Sequence, residues 1–346
     1  MSDKVPLAVI LGCGRERLTA FEWDFFTEAN PVGFILFRRN CRSPDQVRDL
    51  VGSLRRCVGR DDAPVLIDQE GGRVARLRPP HWRGYPSPAR IASLPDPLAE
   101  TAAQLGARLV ADDLARLGIT VDCLPVLDLP ATGADPVIGD RAYGSEPERV
   151  ARLAGAVCAG LLEGAVLPVL KHIPGHGRAR VDSHHARPFV ETGYDELART
   201  DFAPFRALAA MPWAMTAHIV YSPIDPTAPA TLSQRVIADV IRGDIGFDGV
   251  LISDDLSMRS LGGGLGERTR QALAAGCDLA LHCNGDPGEM AEVVAMARPI
   301  SPVTAARLRR GEARRRCSAQ TGFDRGAAEA QFDALLAGAA VAEVAK

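Results

Sequence analysis

The segment at 171–185, KHIPGHGRARVDSHH, gathers four histidines, a lysine and an aspartate within fifteen residues. Pro174, Gly175 and Gly177 rule out a continuous helix there, so His172 and His176 are not an i, i+4 zinc pair on a helix face. A loop with two glycines can move and close over a ligand. Asp182 and His184 stand two residues apart, near enough in a bent loop for the carboxylate to bond one imidazole nitrogen. That contact would fix the tautomer and raise the histidine's pKa, which suits proton transfer near neutral pH. Two other readings stay open. The loop is pinned by Asp-Ser-His hydrogen bonds alone, or it holds a metal through His172, His176, Asp182, His184 and His185.

Other polar residues follow short apolar runs. Asp68-Gln69-Glu70-Gly71-Gly72-Arg73, with Arg76 beyond, follows the run at 64–67. Lys171-His172 ends the run at 166–170, and His218 comes just after 213–216. Ser253-Asp254-Asp255 follows 250–252, and His282-Cys283-Asn284 follows 279–281. A lone histidine in such a place is more often a satisfied structural group, but the same bias at five strand ends points to an active site. Asp254 is placed to attack an electrophilic carbon or hold a cation, while Asp255 should point elsewhere and cap the next turn. Lys171, Arg76 and Arg141 would surround the same pocket with fixed donors.

The elements that must position these groups are strands and helices in alternation. Runs at 7–11, 33–37, 64–67, 121–124, 166–170, 213–216, 250–252 and 279–281 are near-continuous in apolar residues, as in parallel strands covered on both faces. Helical patterns lie at 44–56, 96–116, 146–162, 194–209, 233–242, 266–275 and 287–298, several opened by Ser, Asp or Pro. Eight strands separated by helices predict a (β/α)8 TIM barrel over residues 1–300, a single catalytic domain. A doubly wound open sheet is the competing architecture. Residues 301–346 are Ala- and Arg-rich and read as closing helices that pack on the barrel.

Composition narrows the class. The chain has 346 residues, 47% hydrophobic and 24% charged, which excludes a disordered or fibrous protein. A net charge of −3 argues against a general nucleic-acid binder. The arginines at 307, 309, 310, 314, 315 and 316 read as a solvated helix face rather than a phosphate patch. Eight cysteines without CxxC spacing read as free thiols in a reducing cytoplasm. Residues 5–11 before Gly12-Cys13 faintly resemble a lipoprotein cleavage site, but Asp3 is out of place there and a first buried strand explains them better. No apolar run is long enough to span a bilayer. The expectation is a cytoplasmic protein with no membrane or nucleic-acid partner, a monomer in preference to an oligomer.

The segment at 171–185 resembles the signature of the glycoside hydrolase family 3 β-N-acetylglucosaminidases. The likeness continues in DQEGGRVARL at 68–77, VIGDRAYGSEP at 137–147, MTAHIVY at 215–221 and GVLISDDLSM at 249–258. GFILFRRN at 33–40 and AGCDLALHCN at 275–284 also fit, and all come in the family's order. The resemblance implies that Asp254 is the nucleophile and His184 the general acid/base, with Asp182 as its partner. It implies that Asp68, Arg76, Arg141, Lys171 and His172 bind the N-acetylglucosamine unit, without cofactor or metal. The implied substrate is a small saccharide, GlcNAc–1,6-anhydro-MurNAc with or without peptide, met in peptidoglycan recycling. The basic stretch 178–181 would then contact the substrate's anionic lactyl or peptide part.

A histidine acid departs from the usual pair of carboxylates in retaining glycosidases. An imidazolium held by Asp182 can supply the same proton, and once neutral it presents no negative charge to the acceptor. A phosphorolytic variant is therefore admissible, and a metal-dependent hydrolase on the same barrel is the further alternative.

Overall fold

The computed structural model describes residues 4–183 and 187–344. Among the described residues are ten strands: β1 Leu7–Gly12, β2 Pro31–Leu36, β3 Val65–Ile67, β4 Val121–Asp122, β5 Leu167–Ile173, β6 Phe189–Val190, β7 Trp213–Thr216, β8 Val220–Tyr221, β9 Val250–Asp255 and β10 Leu279–His282. Eight of them close into a barrel in the order β1-β10-β9-β7-β5-β4-β3-β2, each pair parallel. Each of the eight overlaps one of the predicted apolar runs. The barrel closes where Val9, Ile10 and Leu11 of β1 register with Ala280, Leu281 and His282 of β10. Residues of β2, β3, β5, β7 and β10 are buried throughout, which is why their sequences do not alternate. β6 and β8 form a separate parallel pair in the loops beyond β5 and β7.

The residues before Cys13 are thus a barrel strand, and Cys13 is buried at its end. Most helices follow the predicted positions, including Pro44–Val58 capped by Ser43, Leu98–Ala115 and Pro147–Glu163. Three differ. The helix Ala20–Ala29 was not expected, because Phe21 and Trp23 leave its outer face half apolar. Its signal is the Thr19/Glu22 capping box, with Glu22 N–H donating to Thr19 Oγ1 at 3.1 Å and Thr19 N–H to Glu22 Oε2 at 2.8 Å. The stretch read as one helix at 194–209 is two, Tyr194–Arg199 and Ala203–Ala207. The break falls at Thr200, whose backbone leaves the helical region at φ −111° and ψ −83°, and Pro204 sits in the first turn of the second helix, where its missing N–H is not needed. The third, predicted at 233–242, is wound as a π-helix over Val236–Asp244.

After β10 come Pro287–Met296 and the closing helices Pro302–Ser318 and Arg325–Val344. Arg307 bonds Asp248 at 2.7 Å and Asp278 at 3.1 Å, and Arg310 bonds Asp248 at 2.8 Å. Arg315 and Arg316 pair with Glu312, and Arg314 donates to the Ala210 carbonyl. Five of the six clustered arginines are therefore engaged within the protein, as a structural face requires. Among the described residues no helix is long and apolar enough to cross a membrane.

Candidate active site

The C-terminal ends of the barrel strands surround a cavity of about 520 Å³. Its walls bring together Asp68, Arg76, Arg141, Lys171, His172, Asp182 and Asp254, residues up to 186 positions apart in sequence. His184 and His185 lie outside the described residues. A second cavity of about 500 Å³ sits at the opposite end, where Val32, Leu167 and Trp213 begin their strands beneath Leu308. It has no comparable array of facing carboxylates and imidazoles, so the first is the candidate active site.

One wall is a buried ion cluster. Lys171, 2% exposed, places Nζ 2.9 Å from Asp68 Oδ1 and 2.7 Å from Glu70 Oε1. Arg76 Nη2 reaches Asp68 Oδ2 at 2.9 Å, and Arg141 grips Glu70 through Nε and Nη2 at 2.8 and 2.9 Å. Arg73 holds the loop that carries Arg141, bonding Asp140 at 2.9 Å. Burial opposes ionisation of Asp68 and Glu70, but Lys171 with Arg76 or Arg141 outweighs it, holding the Asp68 carboxyl well below its usual range and lowering that of Glu70. The same contacts hold Lys171 above its ordinary range although burial works against its charge. Arg76 also lies over the Phe37 ring, 5.0 Å from its centroid. Such a wall offers fixed donors and acceptors to the hydroxyl and amide groups of a sugar.

Lys171→Met leaves two buried carboxylates short of a cation, so we expect a stability loss of about 3–5 kcal/mol. Denaturant unfolding of the two proteins measures it. A loss within experimental error would mean that the carboxyls simply take up a proton.

Asp128 was not foreseen. It lies buried in the segment following β4, where Leu127 N–H donates to the Lys171 carbonyl at 2.7 Å. Its Oδ2 meets His172 Nδ1 at 2.7 Å, and its Oδ1 accepts from the His172 and His176 backbone N–H groups at 3.1 and 2.6 Å. These bonds and the neighbouring His172 outweigh burial and depress the Asp128 pKa. With Nδ1 engaged, the other ring nitrogen of His172 is left for a ligand. The only advance signal was a carboxylate set among leucines and prolines in LPVLDLP.

His176 is buried and its Nε2 meets Ser183 Oγ at 3.1 Å, which ties the start of the loop to the residue after Asp182. Burial, then the nearby His172, pushes its pKa down to about 4, so it is neutral at physiological pH. His218 is structural, as a lone histidine usually is. Its Nε2 donates to the Asp255 carbonyl at 3.0 Å, so Nδ1 accepts from Thr231 Oγ1 at 2.7 Å. Burial lowers its pKa, in keeping with that neutral tautomer.

Asp254 ends β9 and faces the cavity. Its Oδ1 accepts from the Asp255 N–H at 2.8 Å, leaving Oδ2 for chemistry. Burial raises its pKa, but His218, His172, the Asp255 N–H and Lys171 together turn the net shift downward, so it is a carboxylate at neutral pH. Asp255 caps the next turn as expected, accepting from Ser257 N–H at 3.1 Å and Ser257 Oγ at 2.6 Å, but it does not point away: it lines the same cavity. Arg178 corrects the expectation for one of the two arginines in the basic stretch. It is bound to Asp201 at 2.7 Å and Glu196 at 2.8 Å, and so is not free to meet a substrate anion. Within the described residues no three His, Cys, Asp or Glu side chains are grouped to hold a metal ion.

Residues 23–314 match the N-terminal domain of glycosyl hydrolase family 3. The chain belongs to glycoside hydrolase family 3. It is 38% identical over 309 residues to a β-hexosaminidase of Pseudomonas aeruginosa, spanning 88% of this chain and 91% of that one. Among solved structures it is similar to NagZ from Neisseria gonorrhoeae in complex with N-trifluoroacetyl-D-glucosamine, with a TM-score of 0.84 and 34% identity over 96% of this chain and 98% of that chain. A β-N-acetylhexosaminidase from Beutenbergia cavernae follows the same fold at a TM-score of 0.74 and 30% identity, over 90% of this chain and 96% of that chain. This family 3 member is thus a glycoside hydrolase of the β-N-acetylhexosaminidase type, acting on a saccharide through the (β/α)8 barrel expected from its sequence.

Proposed function

We propose that the protein is a retaining, exo-acting β-N-acetylglucosaminidase that works without a cofactor. Its substrate would be the terminal GlcNAc of GlcNAc–1,6-anhydro-MurNAc, with or without peptide, released in cytoplasmic peptidoglycan recycling. The observation that carries the reading is Asp254, a carboxylate with one oxygen free, sharing a cavity with the ion cluster of Asp68, Arg76, Lys171, Glu70 and Arg141. In the first step Asp254 Oδ2 bonds the anomeric carbon, the bond to the aglycone oxygen breaks, and His184 gives that oxygen its proton. In the second, His184 takes a proton from water as the water oxygen bonds the anomeric carbon and Asp254 departs. Asp182 orients His184 and favours its protonated form. Asp68, Arg76, Arg141, Lys171 and His172 hold the sugar throughout.

The test is cleavage of the disaccharide followed by NMR, in phosphate-free buffer with EDTA and again with added phosphate. The reading requires β-GlcNAc as the first product in both samples. An α product would mean inversion and no glycosyl–Asp254 ester. Loss of activity to EDTA with recovery on zinc would favour the metal reading, and GlcNAc 1-phosphate would mark a phosphorylase.

A further inference from the structure

Three of the cavity's charged side chains, Asp68, Glu70 and Arg76, ride on one loop that leaves β3 and doubles back. Its tip is tight, with Glu70 N–H donating to Val74 O at 2.9 Å and Gly71 at a φ of +96°. Nothing about the tip itself fixes how far Arg76 stands from Asp68, eight residues earlier. Residues in an extended strand end alternate sides, so Asp68 and Glu70 share the cavity and Gln69 turns inward. Gln69 is 2% exposed. Its Oε1 accepts from Arg76 N–H at 2.9 Å and Leu77 N–H at 3.0 Å, and its Nε2 donates to the Leu77 carbonyl at 3.0 Å. One amide thus clamps the returning limb. The backbone N–H of Gln69 in turn donates to Asp122 Oδ1 at 2.9 Å, at the end of β4.

We propose that Gln69 and Asp122 are positioning residues: Asp122 anchors Gln69 to the barrel, and Gln69 sets the separation of Asp68 and Arg76 so that both meet one sugar ring. Asp122 is wholly buried, and its Oδ2 finds no hydrogen-bond partner among the described residues. Burial pushes its pKa up to about 8, with Asp68 and Glu70 adding to the shift against the Gln69 N–H and Lys171. The group is therefore mostly uncharged at neutral pH, and what it supplies is an oxygen acceptor, which an asparagine would also supply. The inference rests on the proposal that Asp68 and Arg76 hold the GlcNAc unit.

The experiment is steady-state kinetics on a chromogenic β-N-acetylglucosaminide with Gln69→Leu, Arg76→Ala, the double variant, Asp122→Asn and Asp122→Leu. Losing a clamp of hydrogen bonds to two backbone N–H groups should raise KM about tenfold or more in Gln69→Leu, with kcat little changed. In the Arg76→Ala background the same change should add less than about twofold, because the clamp then has nothing to aim. Asp122→Leu should follow Gln69→Leu, and Asp122→Asn should restore a KM near that of the unaltered enzyme. Gln69→Asn, too short to reach both limbs, replaces the leucine variant should that fail to fold. A full Gln69 effect in the Arg76→Ala background, or an Asp122→Asn as damaging as Asp122→Leu, overturns the positioning role. An Arg76→Ala enzyme with unchanged KM would instead remove the sugar grip itself, and the positioning role with it.

Discussion

Asp254→Asn should lose about four to six orders of magnitude in kcat while folding normally, as expected when a nucleophile is removed from an otherwise intact site. The amide keeps the side-chain shape and an oxygen for the Asp255 N–H, so the end of β9 has no reason to move. Asp254 is half-buried and its surroundings favour the anion over the acid, so losing the charge should cost a little thermal stability without unfolding the protein. What disappears is the anion that bonds the anomeric carbon. Intact-protein mass spectrometry during turnover of a slow substrate should detect an N-acetylhexosaminyl adduct on the unaltered enzyme and none on the variant. An asparagine variant within tenfold of the parent kcat would end the assignment and turn attention to a substrate-assisted route.

The eight barrel strands were legible because parallel strands covered on both faces must be apolar without alternation, and short runs such as 250–252 are hard to mistake. The positions of Asp68, Lys171 and Asp254 were legible for a related reason, since each follows such a run within two residues. What could not be read was partnership. Nothing in the sequence says that Glu70 completes an ion cluster with Lys171 and Arg141, or that Asp128 holds His172, because those contacts join different strands and loops. Arg178 misled for the same reason: its charge was visible, but Asp201, 23 residues on, was not a visible partner. The helix Ala20–Ala29 lacks a clean apolar stripe, since Phe21 and Trp23 face outward, and its one sequence signal is the Thr19/Glu22 capping box.

The second large effect concerns the proton. Asp182 lines the cavity at the end of a loop whose start is held by Asp128 and whose far end is tied back through His176 and Ser183. We expect Asp182→Ala to lower kcat by about two to four orders of magnitude, the range of a general acid–base contribution, without weakening sugar binding: KM should hold on the disaccharide and fall along with kcat on an aryl glycoside. The loss should depend on the leaving group. A nitrophenolate departs without much help, so the first step with an aryl glycoside should suffer far less than with a sugar alcohol such as the anhydro-muramyl aglycone. Water attack in the second step needs the same base whatever has left, so the aryl substrate should show a burst followed by slow turnover. Measuring both substrates on one variant separates an acid/base partner from a residue that merely shapes the loop. Equal losses on both with no burst, or a raised KM with kcat intact, would place Asp182 among the binding groups and leave His184 without its proposed partner.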